Sequence, residues 1–303
     1  MQNIIKIDRH TILLTHQEKI LFPNVHVSKG ELIDYYGAIA PYMLPHMRGT
    51  LMSMQRFPQG ITHKGFFYKN VPDYFPSWIK RACLEKRTQE GATCYVVGDT
   101  AATLIYLTNY DAIVFHTSLS RVDKIMYPDR MIFDLDPAPG IPFATIVWTA
   151  FELKKILEHV DLVPFALLTG SRGIHVVVPL VRCQEFRVIE KFAFLVGRSL
   201  VAQYPDRLTV EFSKKKRGRR IFIDTLRNRY GASSVAPYSV RALPRAPVAV
   251  PVSWERLSTV SSSDFLTIKT AIVHAEQEGH CWLNMRKSAS ALSHKKVNSL
   301  KMF

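Results

Sequence analysis

Two apolar runs that each end on a carboxylate constrain this chain more than any other feature. They are Phe133-Asp134-Leu135-Asp136-Pro137 and Ile221-Phe222-Ile223-Asp224. Apolar residues lead into both, the pattern of a buried strand reaching its end. In a strand, residues i and i+2 share a face. Asp134 and Asp136 therefore point the same way, while Phe133 and Leu135 pack on the other side. Two carboxylates side by side repel unless a cation or a proton lies between them. A third carboxylate, Asp224, from a neighbouring strand would complete a hard oxygen-ligand set for Mg2+ or Mn2+. Such a set suits phosphoryl or nucleotidyl transfer, in which two metals clamp the attacking and leaving oxygens. An isolated D-x-D is common, and alone it means no more than two solvated aspartates ahead of a proline. Here it has company.

Composition narrows the partner. The chain has 303 residues, 47% of them hydrophobic, enough for one large or two moderate domains. Its formal net charge of +15 favours a polyanion. No apolar run has the length of a membrane span, and the start, Met1-Gln2-Asn3-Ile4-Ile5-Lys6, lacks the apolar core of a signal peptide. A membrane partner has little support, so nucleic acid leads, with a cytoplasmic location. The four cysteines, Cys83, Cys94, Cys183 and Cys281, form no C-x-x-C pair, which argues against zinc. They read as reduced cytosolic thiols, which leaves any metal chemistry to carboxylates.

Along the chain, residues 1–30 read as an N-terminal arm with a turn at Phe22-Pro23-Asn24. Ser28 followed by Glu31 is a capping box, opening a helix from Leu32 to about Leu44 that Pro41 and Pro45 punctuate. Strands are expected at Leu51–Met54, Gly65–Lys69, Thr93–Val97 and Ala112–His116, with a polar turn over 85–92 and a helix from about Thr100 to Asn109. From Met131 the chain alternates: strand to Asp134, helix from Phe143 to about His159, strand Phe165–Leu168, strand His175–Pro179, helix from Gln184 to about Tyr204. Strands Leu208–Phe212 and Arg220–Asp224 flank a basic loop. The layout is α+β or mixed α/β. The last stretch, 286–303, is rich in Ser and Lys and reads as a mobile basic tail behind one catalytic domain, 1–285.

Three further segments carry chemistry. In Thr169-Gly170-Ser171-Arg172-Gly173-Ile174-His175 the glycines let backbone approach a ligand, and Thr169, Ser171, Arg172 and His175 supply donors for phosphate oxygens. In Asp224–Arg241, Arg227 lies three residues past the carboxylate and Arg241 follows an apolar strand-like stretch. Ser213 to Arg220 holds six basic residues in eight (Lys214, Lys215, Lys216, Arg217, Arg219, Arg220), a backbone-contacting loop whose binding would depend steeply on salt. Lys19 and Lys29 flank the Phe22-Pro23 turn. Phe66 and Phe67 are neighbours in an extended stretch, so one is expected in the core and the other free to stack on a base.

Taken together, these segments resemble the polymerase domain of bacterial DNA ligase D, in the archaeo-eukaryotic primase superfamily. The resemblance runs from about Leu14 to about Ile268. It is carried by Lys19-Ile20-Leu21-Phe22-Pro23, Lys29-Gly30, Gly65-Phe66-Phe67, His116 with Ser120-Arg121, the Phe133–Pro137 and Gly170–His175 segments, Ile221–Asp224, and Val235-Ala236-Pro237-Tyr238-Ser239 through Arg241. It implies an α+β primase-like fold of mixed and antiparallel sheets with flanking helices around a central catalytic cleft. Asp134, Asp136 and Asp224 are then the catalytic triad holding two Mn2+ or Mg2+ ions. His116, Thr169, Ser171, Arg172, His175, Arg227 and Arg241 line the site of the nucleoside triphosphate substrate. Lys19 and Lys29 hold the 5′-phosphate of a broken DNA end, and Phe66 and Phe67 contact bases. The implied activity is a DNA-templated, primer-, gap- or end-extending nucleotidyltransferase of non-homologous end joining, preferring ribonucleotides. Its DNA would carry gaps, overhangs or 5′-phosphorylated ends, and its partners would be a Ku-like end binder and a separate ligase. A primase and a non-catalytic end-binding scaffold are the rival readings. Met1 and the tail favour a stand-alone polymerase over one domain expressed alone. The family's loop often reads Ser-Gly-Gly-Lys-Gly; Thr169 to Arg172 keep its hydroxyl and its positive charge. His16 stands where an asparagine is common.

Overall fold

The computed structural model describes residues 4–85, 90–293 and 296. Residues 86–89 of the expected turn over 85–92 fall outside them, as does most of the tail beyond 293. The chain divides into two compact units. Unit 1 comprises residues up to 123 with 233–249 and 266–276; unit 2 comprises 124–232, 250–265 and 277 onward. Both are interleaved along the chain, so each takes segments from beyond the other.

Unit 1 begins with a hairpin, β1 (Ile4–Ile7) and β2 (His10–Leu13), then a small pair, β3 (Ile20–Phe22) and β4 (Val27–Ser28). Helix α1 (Lys29–Met47) starts on the expected capping box: Ser28 accepts from the Glu31 amide, and Glu31 accepts from the Ser28 amide at 2.7 Å. It does not stop at its prolines. Pro41 and Pro45 lie inside it, because the face carrying Tyr36, Ile39, Ala40, Met43 and Met47 is buried on both sides of them. That burial outweighs an interior proline's cost of about 3 kcal/mol. The main sheet holds β5 (Thr50–Arg56), β6 (Phe66–Tyr68), β7 (Arg81–Glu85), β8 (Ala92–Gly98) and β9 (Ala112–Arg121), with strand Ser233–Val235 at the far edge. Helix α2 (Ala101–Asn109) is capped by Thr100. Ile12, Ile33, Ala102 and Ile105 form a core seam tying the hairpin to both helices.

The cysteines correct an expectation. Cys83 and Cys94 are joined by a disulfide rather than standing as thiols. They are 11 residues apart, yet β7 and β8 place them directly opposite. The Val97 amide donates to Lys80 O, which makes the 83/94 pair non-hydrogen-bonded, the kind whose side chains lie closest. Cys183 and Cys281 remain thiols.

Unit 2 is built on β10 (Arg130–Pro137), α3 (Phe143–His159), β11 (Phe165–Leu168), β12 (Ile174–Pro179), α4 (Phe186–Gln203), β13 (Leu208–Thr209), α5 (Lys214–Arg217) and β14 (Ile221–Asp224). Its sheet runs β13-β14-β10-β12-β11 and ends on strand Val250–Val252; every pairing is antiparallel except β13 with β14. In α4, Phe186, Ile189, Phe192, Ala193, Val196 and Leu200 recur at helical spacing and are buried. Gly197 brings α4 against Ile223, whose cross-strand partner is Leu135. Helix α4 thus covers the Phe133–Leu135 face and leaves the aspartate face to chemistry.

Two expectations in this unit change. The basic segment is not a simple loop: residues 214–217 coil into α5, and the strand before it is only two residues long. The opening of the expected tail is ordered. Ser290 bridges to Leu180, and Leu292 is buried. Among the described residues, no helix is long and apolar enough to cross a membrane.

Candidate active site

Strand register assembles the carboxylates. Asp134 stands opposite Asp224 on one side and His175 on the other, so β14, β10 and β12 present a row of three polar groups on one face. Asp136 shares that face two residues on. Beyond Asp224 the strand pairing would lapse. The Asn228 side chain replaces it, accepting from the Ile132 amide at 2.8 Å and donating to Ile132 O at 2.7 Å. That clamp fixes the turn carrying Arg227. Nothing in the sequence pattern marked Asn228, because its role depends on a strand 96 residues away.

Each carboxylate is met by a cation. His175 Nε2 lies 3.5 Å from Asp134 Oδ1, and Arg227 Nε lies 3.4 Å from Asp134 Oδ2 and 3.9 Å from Asp224 Oδ2. Arg172 reaches Asp136 at 3.6 Å and Arg217 reaches it at 3.3 Å. Burial pushes the Asp134 carboxyl up, but His175 and Arg227 together hold it below the usual carboxylate range. Asp224 goes the other way. Burial raises it, the Asp134 charge adds to the rise, and the Leu226 amide at 2.8 Å offsets only part. The two facing aspartates are thus biased apart, one toward ionisation and one toward its proton.

The carboxylate set has the hard oxygen donors that a divalent cation takes. Among the described residues, no three ligating side chains already converge on one point. The metal reading therefore rests on the shared face and its donor chemistry. Arg227, Arg172 and Arg217 supply the positive charge that the carboxylates require.

The 169–175 loop is tightly closed. Gly170 sits at φ +66, a left-handed conformation natural to glycine, and a Cβ on Gly173 would lie 2.4 Å from Leu135 O. The Thr169 hydroxyl donates to Gly173 O at 2.9 Å, and Ser263, unmarked by sequence, donates to the same oxygen at 2.6 Å. Thr169 is buried in this closure, while Ser171 and Arg172 are presented outward. Arg217, grouped by sequence with the backbone-contacting bases, turns inward. It lies over the Phe222 ring at 3.6 Å and is hydrogen-bonded to Glu211 O and Phe212 O as well as to Asp136. Arg220 braces the same segment through Arg217 O and Lys216 O. Lys214, Lys215, Lys216 and Arg219 remain exposed.

Unit 1 carries the other expected residues. Lys19 and Lys29 share Asp111, at 3.3 and 3.6 Å from its Oδ1, and Lys29 also donates to Thr15 Oγ1. Burial, reinforced by Lys19, holds the Lys29 ammonium below the ordinary lysine value despite Asp111. Asp111 was missed because the ion pairs span 92 residues or nearly so. His16 adopts φ +51, the left-handed region that asparagine enters readily. Phe66 and Phe67 are both exposed, at 44% and 54%, so neither is core as expected; β6 is short and pairs only with β5. Phe67 faces His116 edge-on at 5.4 Å. His116 lies on β9, opposite Val235. The Arg241 amide donates to Pro247 O, and its charge acts on the buried Tyr36 hydroxyl.

A six-stranded sheet bearing paired carboxylates on one face fits the primase-polymerase class, and comparison with known proteins agrees. The family model described as LigD, primase-polymerase domain, matches residues 28–282, and the chain belongs to that family. The multifunctional non-homologous end joining protein LigD of Mycolicibacterium smegmatis is 30% identical over 249 residues, 82% of this chain and 32% of that protein. The bifunctional LigD of Bacillus subtilis is 27% identical over 266 residues, 88% of this chain and 42% of that protein. The chain thus spans about a third of the length of the first relatives it matches. The polymerase domain from Mycobacterium tuberculosis ligase D, solved in complex with DNA, superposes with a TM-score of 0.86 at 27% identity, over 92% of this chain and 99% of that one.

Proposed function

We propose that this chain is a DNA-templated polymerase that fills gaps and extends broken ends in non-homologous end joining, with a preference for ribonucleotides. The observation that carries the reading is the single face on which Asp224, Asp134 and His175 stand in one cross-strand row beside Asp136. In the reaction, a primer 3′-hydroxyl attacks the α-phosphate of a nucleoside triphosphate; a phosphodiester forms and pyrophosphate leaves. Two Mn2+ or Mg2+ ions, when bound, would lower the pKa of the attacking hydroxyl and neutralise the triphosphate. Asp134, Asp136 and Asp224 would hold them. Asp134 is suited to that task because His175 and Arg227 keep it ionised.

Arg172, His175 and Arg227 each already face a carboxylate. With the carboxylates holding cations, these side chains would be the donors for phosphate oxygens. Thr169 shapes the loop, while Ser171 and Arg172 offer donors outward. His116 and Arg241 would line the nucleotide site. Lys19 and Lys29 would take the 5′-phosphate of a DNA end, Phe66 and Phe67 would contact bases, and Lys214, Lys215, Lys216 and Arg219 would hold the DNA backbone. A Ku-like end binder and a ligase activity complete the pathway.

The test is primer extension on gapped DNA bearing a 5′-phosphate, with ribo- and deoxyribonucleotides supplied separately and Mn2+ or Mg2+ present. Extension that favours ribonucleotides, is stimulated by the phosphate and is lost in Asp134→Ala supports the reading. Tight DNA binding without extension under either metal overturns it in favour of an end-binding scaffold.

A further inference from the structure

Strand β6 exposes a ring on each of its two faces, and the two rings have different surroundings. Phe67 meets His116. Phe66 points the other way, with Tyr68, into a cluster centred on Arg56. The Arg56 guanidinium lies 3.5 Å over the Tyr110 ring, 5.3 Å from Tyr68 and 5.5 Å from Phe66, and its Nε donates to Tyr110 O at 2.7 Å. The rings continue outward. Tyr110 packs edge-on against Tyr74 at 6.1 Å, their hydroxyls hydrogen-bonded, and Tyr74 is 67% exposed. The Tyr74 ring is held at its hydroxyl by Tyr110 and lies edge-on to Phe75 at 5.6 Å.

We infer that this strip, from Phe66 across Arg56 and Tyr110 to Tyr74, is a stacking platform for an unpaired nucleic-acid strand. The inference deepens the proposed reading and rests on the chain acting on DNA. Two exposed rings, Phe66 and Tyr74, flank half-buried Tyr68 and Tyr110 and offer π-faces to bases of any sequence, a feature that single-strand binders use. Arg56 gives the strip a positive centre, and exposed Lys69, next to the strand, adds charge for phosphates. That charge complementarity favours a polyanion over an apolar protein surface. Phe66 alone would hold a base at the strand; Tyr74 extends the platform to a further one.

The experiment measures binding of a fluorescent oligo-dT single strand and of a blunt duplex, without triphosphate or divalent metal. It therefore succeeds or fails independently of the extension chemistry. Tyr74→Ala should weaken single-strand binding about fivefold or more, the loss of one stacked base, and leave duplex binding unchanged. Tyr74→Phe keeps the ring while giving up its hydroxyl bond to Tyr110, and should retain most of the single-strand affinity. Unchanged single-strand affinity in Tyr74→Ala overturns the inference. So does an equal loss on single strand and duplex, or a Tyr74→Phe variant as weak as Tyr74→Ala, since these outcomes point to a duplex contact or to binding that does not use the ring.

Discussion

Around Asp134 three carboxylates are answered by two arginines, a third arginine and a histidine; around Asp111 one carboxylate is answered by two lysines. Both clusters are ion pairs by distance, yet they are balanced differently. In the first, three arginines already match three carboxylates, so a cation there would have to displace those side chains. The second has more ammonium than its single aspartate neutralises, with Lys29 almost wholly buried. A buried, incompletely paired charge is costly and is kept where a ligand completes it. The contrast teaches that donor type, oxygens sharing one sheet face against clustered ammonium groups, and not the mere presence of charged residues, separates the proposed cation site from the proposed phosphate site.

Removing one member of the carboxylate row breaks the comparison most severely. Asp134→Ala should cost extension on the order of a thousandfold or more, while anisotropy shows DNA-end binding retained. Activity near the wild-type level would remove Asp134 from the chemistry. At the lysine cluster the expected loss is smaller. Lys19→Ala should cut the advantage of a 5′-phosphorylated over an unphosphorylated end by roughly tenfold to a hundredfold, the range for a hydrogen bond to a charged group. Binding that ignores the phosphate in both proteins would sink the anion reading.

The basic segment sharpens the point at lower stakes. Each of Lys214→Ala, Lys215→Ala and Lys216→Ala should reduce the salt slope of DNA binding by about 0.9, the signature of one lost phosphate contact. Arg217→Ala should leave that slope alone and instead lower extension and melting temperature, because its side chain pairs with Asp136 and covers Phe222. Equal slopes for all four variants would return Arg217 to the DNA-contacting set.

The smallest effect concerns pH. The folded Lys29 pKa is lowered, so the folded state sheds this proton before the unfolded chain does. Stability should therefore rise as pH climbs through the folded value toward the unfolded one, and the gain ends there. Urea unfolding at neutral and alkaline pH should show this increment in the wild type and not in Lys29→Met. An increment of the same size in the variant would assign it to other groups.

Much of this was legible in the chain itself. Helix α3, strand β11 and the Ser28–Glu31 capping box lie where periodicity and end signals put them. So does the shared face of Asp134 and Asp136, since alternation in a strand is a local property. What local pattern misjudged was settled by burial. The prolines of α1 stay helical because both flanks are core, and Phe66 and Phe67 stay exposed because β6 is a short strand. The disulfide of Cys83 and Cys94 escaped a reading based on spacing motifs, because strand pairing and not sequence proximity sets it.

The sequence by itself determined which residue types this protein has for chemistry, and in what order: acids at the ends of apolar strands, a glycine loop, scattered bases. Only the tertiary structure decided which of them meet. Asp224 faces Asp134 through register, Asn228 extends a ladder from far along the chain, and Asp111 joins two lysines that two helices and four strands separate from it along the chain. Arg217 became a partner of Asp136 instead of a surface charge. The physical reason is that side-chain alternation and helical period act over a few residues. Pairing of charges is decided by distance and desolvation, and folding sets both over the whole chain.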